Sequence, residues 1–152
     1  MVPPHRRWRD VLARRSPDDL ELGEGGVWRR LHDRFRRAVD RYHQLLEGVP
    51  EGPLRGALEL CGARLAVCLD EVRAACAAEQ ATSPSTGLEV PGGAAGEHHA
   101  RLSRAATLAA QAAEAVTMAR VRARTDPSVL ADASGAEAAD RAVAQVEALV
   151  RA

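Results

Sequence analysis

The chain has 152 residues, 21 arginines, 21 acidic residues and a formal charge of zero at neutral pH. That length suits one domain able to bury a core of its own. Lysine, isoleucine and asparagine are all missing, the bias of a high-GC bacterial coding sequence, and the lack of lysine excludes a P-loop lysine or a Schiff base.

Residues 1–26 read as a basic extension. The stretch from Met1 to Arg15 is too basic and too poor in apolar residues for a signal peptide. Trp8 to Arg15 predicts a short helix. Ser16-Pro17-Asp18-Asp19 starts a second one, stopped by Gly23, Gly25 and Gly26.

From Val27 to Leu46 the apolar residues Trp28, Leu31, Phe35, Ala38, Tyr42 and Leu45 advance by alternating steps of three and four, the period of a helix burying one stripe. Arg30, Arg34, Arg37 and Arg41 form a second stripe, expected to face solvent, with Asp33 within reach of Arg37 and Arg36 within reach of Asp40. Such a stripe reads either as a solvated face laced by weak pairs or as an anion- or partner-binding face. Arg6, Arg7 and Arg9 would extend the second alternative.

Gly48 to Pro53 marks a turn, and Pro53 suits a first helical position. The next helix, Leu54 to about Gln80, sets Cys61, Cys68 and Cys76 on the stripe that holds Leu65 and Val72. Buried cysteines of this kind act as small apolar residues. Their odd number and helical spacing argue against a disulfide framework or structural zinc, and a reducing cytoplasm is the simplest setting.

Thr82 to Gly96, rich in Ser, Thr, Pro and Gly, reads as a flexible crossover. A third helix, Glu97 to Arg124, carries a seam of Leu102, Ala105, Ala109, Ala112, Val116 and Ala119. A fourth runs from Ala136 to Arg151, with Asp126-Pro127 opening a turn before it and Ser134 to Glu137 forming a capping box. No segment alternates with the period of a strand. The expected fold is all-α: an antiparallel four-helix bundle over residues 27–152, made of hairpins 27–80 and 97–151 that pack within one chain or swap with a neighbour.

Charge is distributed in blocks. Residues 1–43 hold 11 Arg against 7 acids, residues 44–96 hold 3 against 7, residues 97–124 hold 5 against 2, and residues 125–152 hold 2 against 5. Alternating signs suit elements that pack side by side.

No catalytic, metal or cofactor site is expected. His32 and His43 lie about 16 Å apart along one helix, too far to share a metal ion, and His98 and His99 point in different directions. His98 is expected half-buried beneath the crossover. Arg120 falls near the apolar seam, at the bundle end or paired with Glu71. Arg30-Leu31-His32-Asp33 resembles the phosphoacceptor stretch of one class of histidine-kinase dimerisation domains, which would imply a helical dimer, but the residues after Asp33 depart from that pattern. The spacing of Arg37 and His43 is similar to the motif of HEPN-type ribonucleases, with Ala38 where a polar residue is usual. Neither stretch assigns a family.

The leading expectation is a non-enzymatic interaction or adaptor protein, homodimeric through the alanine-rich third helix, with an unidentified protein partner and no membrane. One alternative is a nucleic-acid-binding module using Arg6, Arg7, Arg9 and the Arg30–Arg41 stripe. Another is a small-ligand or enzymatic bundle in which His98, Arg120 and Tyr42 converge on an internal pocket.

Overall fold

A computed structural model of the chain describes residues 16–152. The expected helix over Trp8 to Arg15, and Arg6, Arg7 and Arg9, lie outside the described residues. Among the described residues five α-helices pack against one another: α1 (Pro17–Leu22), α2 (Val27–Glu47), α3 (Pro53–Thr82), α4 (Gly93–Thr125) and α5 (Glu137–Val150). Two 3-10 turns, Pro127–Ala131 and Ala133–Ala136, connect α4 to α5. The described residues contain no strand, and no helix is long and apolar enough to cross a membrane.

Local chemistry accounts for most helix ends. Ser16 and Asp19 cap α1 reciprocally, each side chain accepting from the other's backbone N–H. Pro53 opens α3, and Asp126 accepts from the Ser128 amide to start the first 3-10 turn. The capping box expected at Ser134 does not form. Asp132 takes both the amide and the hydroxyl of Ser134, so a 3-10 turn occupies Ala133–Ala136, and α5 begins at Glu137 without a side-chain cap.

Trp28, Phe35 and Tyr42 of α2 are fully buried, as are Leu102, Ala105, Ala109, Ala112 and Val116 of α4. Trp28 meets His99 of α4, while Tyr42 lies over Gly62 of α3. The alanine seam is buried within the chain rather than exposed to a second copy.

Each hairpin is antiparallel by connectivity: the Tyr42 hydroxyl donates to the Leu58 carbonyl, while Trp28 reaches Ser83. Between hairpins the sense is different. Trp28 stacks edge-on against His99, Arg34 bonds Thr107, and Arg120 lies over Gly48. These pairs ascend together, so α2 and α4 run side by side in the same direction. Arg64 meets Asp140 and Glu147, and Glu71 meets Arg151, so α3 and α5 do likewise. Contact between α3 and α4 is sparse, as for helices on a diagonal. The all-helical expectation is met, but neighbours taken from different hairpins are parallel because the crossover spans that diagonal.

The crossover is shorter than expected, residues 83–92, because α4 starts at Gly93 rather than Glu97. It is also anchored. The hydroxyl of buried Ser85 accepts from the Val27 amide at 3.0 Å, and so caps α2 from 58 positions away in sequence. Trp28 Nε1 donates to the Ser83 carbonyl, and the Ser85 amide donates to Gln80 Oε1. The hairpins pack within one chain. Residues 16–26, read from the sequence as part of an extension, join the same body. Leu22 is fully buried, Arg29 reaches Asp19, and Arg73 holds Asp18 and Glu21.

Candidate functional site

The parallel pairing sorts the charge. α2 carries 6 Arg and 3 acids, and α4 carries 5 and 2. α3 carries 3 Arg and 4 acids, and α5 carries 1 and 3. Blocks that alternate along the chain thus become two opposed faces, basic on α2/α4 and acidic on α3/α5.

Arg30, Arg34, Arg37 and Arg41 are all exposed, as is Arg104 of α4. Arg30 Nε donates to the Gly25 carbonyl at 3.0 Å, and Arg34 donates to Thr107 Oγ1 at 2.7 Å. None of these five arginines pairs with a carboxylate among the described residues. Asp33 engages Arg29 at 3.0 Å and Arg36 at 3.7 Å, not Arg37 as its spacing suggested, because Arg29 is also steered by Asp19. Arg30 and Arg34 line one side of an open groove of about 220 Å³ with His99 and Ser103, under Leu88 and Val90 of the crossover. Burial, with Arg34 nearby, holds the His99 imidazole below its usual pKa.

On the opposite face, the outer side of α3 is apolar where a helix surface would normally be polar. Leu60 is 70% exposed and Val67 50%. Exposed Ala63, Ala74 and Ala81 continue the stripe by steps of three, four and seven, interrupted by Asp70. Beside Leu60 lies a groove of about 500 Å³ between α3 and α5, lined by Ala57, Cys61, Ala133 and Ala136, with Arg64, Glu137 and Asp140 at its edge. Arg64 donates two bonds to Glu147, at 2.7 and 3.1 Å, and a third to Asp140. Those bonds hold the Glu147 carboxyl below its ordinary pKa.

The three residues expected to share a pocket do not meet. His98 bonds Glu79 at 2.6 Å near the crossover, half-buried as expected. Arg120 covers Gly48 at the far end, about 33 Å along the same helix, and Glu71 is engaged by Arg151 instead. Tyr42 is buried in the core, its hydroxyl donating to the Leu58 carbonyl at 2.7 Å. All three thiols are buried, and burial pushes Cys68 up to about 11 and Cys76 to about 12. Thiols held in that state are poor nucleophiles. Among the described residues no group of three or more His, Cys, Asp and Glu is placed to hold a metal ion.

Sequence reasoning located the arginine stripe but missed the outer stripe of α3. Its signal was present: α3 is apolar around most of its circumference, whereas a surface helix shows one apolar face. No family model, curated protein or solved structure matches the chain.

Proposed function

We propose that this is a non-enzymatic interaction protein, a homodimer of helical bundles joined through the outer face of α3. The observation that carries this reading is the exposed Leu60–Ala63–Val67–Ala74 stripe, which remains uncovered after the core is complete. A two-fold contact is self-complementary. Leu60 protrudes beside an alanine-lined groove, so each Leu60 can seat in the groove of the other copy. α3 is 30 residues long, about 45 Å. A contact strip some 10–12 Å wide along it covers roughly 450–550 Å² per copy, and the α5 side of the groove must supply the remainder of the ~800 Å² typical of a stable interface.

Native mass spectrometry and sedimentation of the full chain test the reading. The expected assembly has twice the 16.2 kDa chain mass. Leu60→Glu with Val67→Glu is expected to yield a folded monomer, whereas Met118→Glu with Val121→Glu on α4 leaves the dimer intact. A monomeric wild-type chain at tens of micromolar, or a dimer indifferent to the α3 substitutions, overturns it.

A further inference from the structure

The fold places like charges next to one another when its own sequence offered the opposite. Successive blocks alternate in sign, so a bundle in which every neighbour follows in chain order would set basic beside acidic helices. The diagonal crossover instead pairs α2 with α4, concentrating 11 Arg against 5 acids on two adjacent helices. Repulsion of this kind is unfavourable to the compact state and favourable to binding an opposite charge. Acidic α1 does not relieve it. Asp19 takes Arg29, while Asp18 and Glu21 take Arg73, both away from the stripe.

We propose that the α2/α4 face binds nucleic acid through the phosphate backbone, without reading bases. The stripe from Arg30 to Arg41 spans about 16 Å, and Arg104 lies on the parallel helix beside it. Thr107 and Gln111 are exposed one turn apart next to the stripe, and side chains of those types are common phosphate partners. Asp40, Glu47, Glu97 and Glu114 are the exposed acids of the two helices, and the exposed arginines outnumber them. A protein partner fits less well. Protein interfaces are depleted of charge and enriched in aromatic residues at their core, whereas the rings of α2 are buried and its arginine stripe exposes no large apolar residue; the exposed apolar residues of α4, Met118 and Val121, lie toward its C-terminal end. Base reading needs side chains on an element that enters a groove, and two helices side by side present a broad surface instead. The site is independent of the α3 contact, which lies on the opposite side of the bundle.

The test is fluorescence anisotropy of the full chain with a labelled mixed-sequence 20-base-pair DNA duplex, titrated at several salt concentrations. Five phosphate contacts predict a slope of log K against log[salt] near −4.5, or a loss of about 500-fold in affinity between 50 and 200 mM salt. Arg37→Gln with Arg41→Gln removes two exposed arginines that lack acidic partners among the described residues, so the fold is retained, as circular dichroism will verify. That variant is expected to flatten the slope by about 1.8 units. Arg141→Gln, on α5, leaves the slope within about 0.3 of wild type, and a second duplex of unrelated sequence binds within threefold. No binding at 50 mM salt overturns the proposal. So does an R37Q/R41Q slope equal to wild type, or tighter binding to vesicles rich in anionic lipid than to the duplex.

Discussion

Gly26→Ala tests how the crossover is seated. Gly26 is the N-cap of α2, with φ −77°, so alanine meets no backbone strain there. Its β-carbon, however, would lie 2.8 Å from the Ser85 hydroxyl oxygen and nearer still to the Ser85 carbonyl. Backbone atoms cannot swing aside as a flexible side chain can, so the crossover must lift. Lifting it breaks the bond from the Val27 amide to Ser85 and loosens the one from Trp28 to Ser83. A buried amide left without a partner costs about 1–3 kcal/mol, and overpacking adds about 1–3 kcal/mol. We expect a loss of about 3–5 kcal/mol, which for a chain of this size is roughly 10–15 °C in Tm. Urea unfolding followed by tryptophan fluorescence measures it. Gly25→Ala, where an added β-carbon meets nothing within 4 Å, is the control and is expected to be neutral. Ser85→Ala is expected to cost about 1–2 kcal/mol alone and much less in the Gly26→Ala background, since the bond it removes is already lost. A G26A protein within about 0.5 kcal/mol of wild type refutes the anchored crossover.

Three further outcomes are expected. Arg64→Gln is expected to cost about 1–2 kcal/mol by chemical denaturation, because its charge-assisted bonds to Glu147 and Asp140 are partly exposed to solvent. The depressed pKa of Glu147 places that contribution above the unfolded carboxylate pKa and removes it as pH falls through the folded one, so the Arg64→Gln and wild-type stabilities converge in acid. His99 is held below its usual 6.5, so the folded state prefers neutral imidazole. Its contribution is complete above the unfolded pKa and declines as pH falls through that value toward the folded one, and His99→Gln flattens the stability–pH curve on the acid side of neutrality. Finally, a thiol reagent at pH 8 is expected to modify Cys61, Cys68 and Cys76 only upon unfolding, with three equivalents released together in denaturant; rapid modification of the native chain contradicts the buried stripe.

The four long helices were legible because their apolar spacing is local, and Pro53, Ser16 and Asp126 signal helix or turn starts within a few residues. Features that depend on distant parts of the chain were not. Ser85 caps α2 across 58 positions, and within Thr82–Gly96 nothing distinguishes it from an ordinary loop serine. The box at Ser134 has the right letters, but Asp132, two positions earlier, competes for the same amide and hydroxyl and wins. The arginine stripe was visible on the helical wheel. That α4 would add Arg104 beside it required knowing which helices are neighbours. Alternation of charge suggested neutralising contacts, whereas the diagonal crossover put like charges together. The outer stripe of α3 was passed over because Leu60, Ala63 and Val67 lie among equally apolar core residues, and only burial separates the two sets.

The opposed charged faces, and the readings built on them, follow from α2 and α4 lying side by side in the same direction. Nuclear Overhauser contacts in the native protein test that arrangement directly. Cross-peaks are expected from Trp28 to His99, from Arg34 to Thr107 and from Gly48 to Arg120, rising in step along both helices. Cross-peaks linking Trp28 to the Ala119–Ala123 end of α4, or none between α2 and α4, would contradict it.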